Sequence, residues 1–364
     1  MDRRVKIWRL SLCIALGLVL GGVFGMIIWR INPMCPKVDV FSLIQIPTIS
    51  SSTSPLAPLA VETPEQTPVR ILFVGDMMLD RSVKLRTQAS KDPAYPFQRL
   101  PQNWFDSFDY AVANMEGSVT DKRRSPEKSI DFQFDPSVLP VLKNLGVDAF
   151  SQANNHALDQ GNIGYDDSVR RMREAGFLVF GHQVRDDQVA LATTTVKGER
   201  FAFLGFNTTD NPLDRIAASS TLALAKSEAE HVIVFMHWGT EYRDKPDASS
   251  IDTAHWLIDH GADIVIGGHP HWTQGFSTYK DKPIIWSLGN FIFDQDFSVQ
   301  TRQGLAVTLT FDGKKISIEP IPLQIDMSQP RLAEGEDRAK RLESIAKVSD
   351  EALIEQIKSG MLRF

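Results

Sequence analysis

Ile71-Leu72-Phe73-Val74-Gly75-Asp76 is a short apolar, β-prone run that stops at Gly-Asp, the signature of a buried strand ending in a turn. Four more runs of this kind follow, at Tyr110–Asn114, Val147–Asn154, Val232–Met236 and Ala262–Gly268. Each run leads within two residues to a group of metal-ligand type: Asp76, Glu116, Asn155 with His156, His237, and His269-Pro270-His271. In an open α/β sheet, ligands bind beyond the carboxyl ends of the strands. The five runs therefore predict one sheet edge that carries carboxylate, amide and imidazole together. That set suits divalent metals and the hydrolytic chemistry metals support.

Outward from these runs, helix signals alternate with strand signals. Asp135-Pro136 gives an N-cap followed by proline at the first helical position, and Val138–Leu145 continues to Gly146. Ile163, Val169, Met172 and Ala175 recur at helical spacing, closed by Gly176. Phe177–Gly181, Phe201–Phe206, Pro283–Leu288 and Leu305–Phe311 are further strand candidates. The alternation argues for an α/β fold. The later strands lie closer together, as antiparallel pairs do. After Arg331 the chain turns charged, and Leu342, Ile345, Val348, Leu353, Ile354, Ile357 and Met361 predict one or two amphipathic helices docked on the domain. The chain has no internal repeat, P-loop, dinucleotide fingerprint or nucleophile elbow.

The N-terminus has a different character. Leu10–Ile28 is uncharged and long enough to span a bilayer. Arg3, Arg4, Lys6 and Arg9 precede it, and only Arg30 and Lys37 follow closely. The positive-inside rule then places the tail in the cytoplasm and the remainder outside it. A cleaved signal peptide is the alternative, but the apolar stretch is long for one and no clean small-x-small site follows. Cys35 lacks the small preceding residues of a lipoprotein. Seven prolines punctuate residues 32–68, which reads as an extended spacer. The expected organisation is a cytoplasmic tail at 1–9, a transmembrane anchor at 10–29, a linker at 30–68, a metal-binding domain at 69–325 and a helical segment at 326–364.

Cysteine and charge narrow the function further. Cys13 and Cys35 are the only cysteines, so the globular part needs no disulfide. Residues 1–40 carry six cations and two anions, which leaves −10 on the rest of a chain whose total is −6. No basic patch interleaved with aromatics stands out, which argues against nucleic acid as a partner.

Taken singly, each motif has a plainer explanation. Asp76, Asp80 and Glu116 fit caps or loop acids, His156 fits a solvated turn, and His237 fits a histidine hydrogen-bonded beside a core strand. Trp238, Trp272, Glu241, Tyr242 and Arg243 fit packing as well as a groove, and Asn290 fits a structural hydrogen bond. Capping alone does not explain why five strand ends all finish in ligand-type residues.

Gly75-Asp76-Met77-Met78-Leu79, Asn114-Met115-Glu116, Asn154-Asn155-His156 with Asp159 and Gly161, His237-Trp238-Gly239 with Glu241-Tyr242, Gly268-His269-Pro270-His271 and Ser287-Leu288-Gly289-Asn290-Phe291 together resemble the CapA capsule-synthesis family, from about Val69 to Pro320. That family is associated with poly-γ-glutamate and looks like a branch of the calcineurin-like metallophosphoesterases. The resemblance implies a layered α/β–β–α sandwich with mixed sheets, holding one or two divalent metal ions of the Mn, Fe or Zn kind. It implies Glu116 as a bridging carboxylate, with Asn155, His237 and His269 as the other protein ligands of one metal. Asp76 and His271 would serve the second metal. Asp76 and His156 are the expected catalytic residues, His156 as the acid that helps the leaving oxygen depart. In two places the chain departs from the superfamily pattern. Met78 stands where the first motif has a histidine, and Glu116 replaces an aspartate. A thioether is a poor ligand for a hard cation, so the first metal site is expected to be weak, completed by solvent, or absent.

The expected function is a membrane-anchored, extracytoplasmic hydrolase of phosphoesterase type, acting in capsule or cell-envelope polymer synthesis. Its expected partners are the bilayer, an anionic polymer or phosphoester substrate, and membrane synthase subunits. Two alternatives remain: a non-catalytic polymer-binding or export subunit, and a metal-dependent γ-glutamyl amide hydrolase.

Overall fold

The computed structural model describes residues 67–364, so the expected tail, anchor and nearly all of the linker lie outside the described residues. Among the described residues no helix is long and apolar enough to cross a membrane.

The described residues begin with strand β1 (Val69–Met77), helix α1 (Arg81–Ser90), β2 (Tyr110–Met115), the short pair β3 (Ser118–Val119) and β4 (Gln133–Phe134), α2 (Val138–Asn144), β5 (Ala149–Ser151), α3 (Gly161–Glu174) and β6 (Leu178–Phe180). They continue through β7 (Leu191–Val196), β8 (Glu199–Asn207), α4 (Arg215–Glu228), β9 (His231–His237), α5 (Ala248–Asp259), β10 (Ile264–Gly268), β11 (Phe276–Tyr279) and β12 (Lys282–Ile285). The last part holds β13 (Asn290–Ile292), β14 (Gln303–Asp312), β15 (Lys315–Asp326), β16 (Gln329–Leu332), α6 (Gly335–Ala346), α7 (Ile354–Ser359) and β17 (Leu362–Arg363).

Two mixed sheets result. The first runs β16-β15-β14-β1-β2-β5-β6, with β13 beside β1 and β17 beside β15. Strands β1, β2, β5 and β6 are parallel, and β14 to β16 add antiparallel neighbours. The second runs β11-β12-β10-β9-β8-β7, with β12, β10, β9 and β8 parallel and an antiparallel strand at each edge.

Strand alternation sorts the apolar residues into layers. Ile71 and Phe73 join Phe203, Phe235 and Ile266 in a core between the sheets, where the Phe73 and Phe203 rings lie 6.1 Å apart. Leu72 and Val74 face the other way, toward Leu142 and Met172 of α2 and α3. On the second sheet, Leu204 and Val234 meet Leu222 and Leu257 of α4 and α5. Helices thus cover both outer faces, as expected of a mixed α/β sandwich.

Two details differ from the sequence reading. Ile163 is 75% exposed, while α3 buries Gly164, Tyr165, Asp167, Ser168 and Met172. The polar members of that face are satisfied: Asp167 accepts from Thr120 at 2.7 Å, and Ser168 accepts from Val119 N–H at 2.9 Å and donates to Gln152 at 3.2 Å. The C-terminal segment also does more than dock helices. Leu342, Ile345, Leu353 and Ile357 enter the core between the sheets, and β16 and β17 both pair with β15.

Candidate metal centre

The carboxyl ends of the parallel strands in both sheets converge on one place. The first sheet brings Asp76 at the end of β1, in register with Asn114 and Asn290, Glu116 just past β2, and Asn155 and His156 past β5. The second brings His237 as the last residue of β9, paired with Gly268, and then His269 and His271. Backbone approach is tight here. A Cβ on Gly268 would stand 2.7 Å from Asp76 Oδ1, so glycine lets the two sheets meet. His269 and His271, on either side of Pro270, hold φ of 90° and 57°. Such left-handed non-glycine conformations gather at functional sites.

Asp76, Glu116 and His237 are buried and offer ligand atoms all within 4.8 Å of one another. Asp76 Oδ1 accepts from Asn114 Nδ2 at 2.8 Å and Oδ2 from the His269 N–H at 3.1 Å. His271 Nδ1 lies 3.5 Å from Asp76 Oδ2, and its Nε2 lies 4.0 Å from Glu116 Oε1. His237 Nε2 lies 2.9 Å from Asn155 Oδ1, and the rings of His237 and His269 are 4.8 Å apart. All six expected ligands therefore share this locus.

The charge state of the cluster follows from burial. Burial, the neighbouring Asp76 and then Glu241 and Asp159 push the Glu116 carboxyl well above its ordinary range. Neither of its oxygens has a hydrogen-bond partner, and an unpaired buried carboxylate is costly. Burial would raise Asp76 too, but the His271 hydrogen bond and the His237 and His271 charges outweigh it and bring the carboxyl to about 2. Burial and the neighbouring His269 hold His237 well below its usual value, and burial with His271 lowers His269 to about 3. His269 Nδ1 is buried without a partner. The Asp76 carboxylate, the imidazoles of His237 and His269 and the two orphaned Glu116 oxygens form a donor set that fits a divalent cation.

His156 borders the cluster. Its Nδ1 lies 2.6 Å from Asp159 Oδ2, and the same oxygen accepts from the Phe132 N–H at 2.8 Å. The contact with Asp159 fixes the orientation of the ring and leaves Nε2 turned away from the carboxylate. The Phe132 ring packs against the imidazole, with centroids 4.1 Å apart.

Several other residues resolve differently. Met78 is fully buried in the helix-covered core, and its Sδ accepts from the Asp80 N–H at 3.1 Å, so it takes no part in the centre. Asp80 occupies the N-cap position of α1 but makes no capping bond; its Oδ2 accepts from Gln133 N–H at 3.0 Å instead. Trp238 is core, donating to the Trp286 carbonyl at 3.0 Å. Asn290 bonds His271 Nδ1 at 2.9 Å through Oδ1 and so orients a candidate ligand. Glu241 brings Oε1 to 3.9 Å from His271 Nε2, closer to the cluster than a groove residue. Asn114, read only as part of a motif, links Asp76 to Asn154 through bonds of 2.8 and 3.0 Å. Its place at the end of the Tyr110–Asn114 run and in that motif was its sequence signal, and neither reveals a buried amide's partner.

Comparison with known proteins adds a family match. The family described as bacterial capsule synthesis protein PGA_cap matches residues 70–295. The PGA biosynthesis protein CapA of Bacillus subtilis (strain 168) is 30% identical over 253 residues, 65% of this chain and 66% of that protein, so the match spans just under two thirds of the relative's length. A probable polyglutamine synthesis accessory protein of Mycobacterium tuberculosis (strain ATCC 25618 / H37Rv) is 26% identical over 349 residues, covering 77% of this chain and 91% of that one. Among solved structures, a hypothetical protein from Thermus thermophilus aligns with TM-score 0.45 and 19% identity, over 70% of this chain and 99% of that one.

Proposed function

Since this chain belongs to the bacterial capsule synthesis family PGA_cap, we propose that its strand-end cluster is a divalent-metal centre that hydrolyses a bond in the making of an anionic capsule or cell-envelope polymer of the poly-γ-glutamate type. Leu10–Ile28 would anchor the chain, with the domain outside the cytoplasm and beside membrane synthase subunits. The carrying observation is Glu116, a buried carboxylate without partners, within 4.8 Å of Asp76 and His237 ligand atoms.

Asp76, Glu116, Asn155, His237, His269 and His271 would hold one or two ions of the Mn, Fe or Zn kind. Bound there, a metal would supply Lewis-acid polarisation of the scissile group and lower the pKa of water. The chain's own residues do the rest. Asn114 and the His269 N–H fix Asp76, and Asn290 fixes His271. Asp159 orients the His156 ring so that Nε2 presents a proton to the leaving atom. That is general-acid work, which typically contributes 10²–10⁴-fold. A phosphoester is the first substrate class and a γ-glutamyl amide the second, since His156 could protonate the leaving oxygen of one or the leaving nitrogen of the other.

A non-catalytic accessory role is the second reading. It is favoured by Met78, whose sulfur is committed to Asp80 N–H and leaves one fewer ligand than the metallophosphoesterase pattern holds. One preparation of the full-length chain, assayed with phosphomonoesters, phosphodiesters and γ-linked glutamate oligomers, separates the readings. We expect turnover that chelator abolishes and that His156→Ala lowers at least 100-fold. Binding without turnover of any of these would favour the accessory role.

A further inference from the structure

Arg81 stands at the mouth of the centre, and the chemistry above does not use it. Its guanidinium lies 5.7 Å from the centroid of Phe132, the ring that packs on His156. Its ion-pair partner Asp294 directly follows Phe293, whose ring lies 4.8 Å from that of His271. Arg81 thus sits between the His156 side of the centre and the His271 side. The side chain is 39% exposed, whereas its partner Asp294 is 2% exposed.

The geometry of the ion pair leaves part of the Arg81 fork free. Nε and Nη2 donate to the two Asp294 oxygens at 3.1 and 2.7 Å, which fixes the plane of the fork and leaves Nη1 without a partner among the described residues. The backbone holds φ of 52°, a conformation that glycine adopts freely and arginine at a cost.

The charge around the centre says what the fork would meet. Asp76, Glu116, Asp159 and Glu241 gather there. Lys128, a second cation near the centre, is committed: its Nζ lies 2.5 Å from the Asn155 carbonyl oxygen and 3.3 Å from Asp159 Oδ1. An anionic substrate entering this acidic surround needs a cation outside the metal ligands. We propose that Arg81 is that residue, a specificity determinant that binds an anionic group, carboxylate or phosphate, of the substrate as it enters beside His156. This rests on the cluster being the substrate-handling centre.

The test is calorimetric titration of the full-length chain with two probes, inorganic phosphate and a γ-linked glutamate pentamer. Wild type, Arg81→Gly, Arg81→Lys and the distant surface control Arg99→Ala are compared, with metal content and melting temperature taken on each sample. Glycine suits the backbone at position 81, so the fold should survive; if it does not, Arg81→Lys decides. We expect Arg81→Gly to weaken at least one probe about tenfold or more, as loss of a charge-assisted bond implies. Arg81→Lys should lose less and Arg99→Ala nothing. A loss confined to phosphate assigns a phosphoester substrate, and one confined to the pentamer assigns a carboxylate polymer; both support the proposal. Equal affinity in Arg81→Gly and wild type, or no binding of either probe by wild type, overturns it. Arg81-dependent binding by a chain without metal would sink the hydrolytic reading and leave the anion site standing. A metal-loaded chain indifferent to Arg81 would do the reverse.

Discussion

Glu116 is the residue on which the chemistry turns, and its environment makes it testable without a substrate. Its carboxyl is raised well above the ordinary value by burial and by neighbouring acids. The folded state therefore binds a proton that the unfolded state releases, and metal-free stability falls as pH rises from about 4.5 through the folded-state value. Replacing Glu116 with Gln removes that penalty. We expect Glu116→Gln to melt higher than wild type at pH 7 without metal, and to lose the stabilisation that added metal gives wild type. A lower melting temperature would contradict this. His237 and His269 act in the opposite sense. Their pKa values are lowered, His269 to about 3, so between that value and the unfolded 6.5 the unfolded state binds more protons. Their contribution is whole above 6.5 and is lost as pH falls. The two effects oppose each other in wild type, and Glu116→Gln should uncover the histidine term as a loss of stability between pH 7 and pH 5 in denaturant titrations. The sequence made these residues visible as strand-end punctuation. It placed Asn114, Asn290 and Asp159 in the motifs without showing what they bond, because the partner of a buried amide or carboxylate is set by register across sheets.

At the scale of elements, the β10 terminus carries two adjacent glycines that should fail in different ways. A Cβ on Gly267 would run into the Trp286 carbonyl, which is backbone, and the Trp238 indole. On Gly268 it would meet the end of the Asp76 side chain, which can move. Gly267→Ala should thus unfold or strongly destabilise the domain. Gly268→Ala should leave circular dichroism unchanged and weaken metal binding at least tenfold by displacing Asp76; equal metal affinity would refute that. In β1, Phe73→Ala should cost about 3–5 kcal/mol, since Phe73 is wholly buried between the sheets. The parallel strands were legible because buried strands read as continuous apolar runs. Helix α3 was legible as a helix but not in its orientation: its buried face includes Asp167 and Ser168, and pattern reading assigns such residues to solvent. Helix α1 carries mostly polar residues, burying only Val83, so its periodicity offered nothing to read.

For the whole molecule, the C-terminal segment completes the core rather than decorating it. Leu342, Ile345, Leu353, Ile357 and Leu362 all lie in the cluster between the sheets. Removing residues 335–364 should expose that core and yield an insoluble or aggregated chain by size exclusion, and a monodisperse folded product would contradict it. The layered architecture gives the centre its character: two sheets whose strand ends meet carry acids from one side and imidazoles from the other, and burial tunes both. The measurement that bears most directly on the centre is the metal content of the purified full-length chain by plasma mass spectrometry, beside Glu116→Gln and His269→Ala. One or two ions per chain, lost in both variants, is the expected result. No bound metal, even after manganese, iron or zinc is supplied, would contradict it.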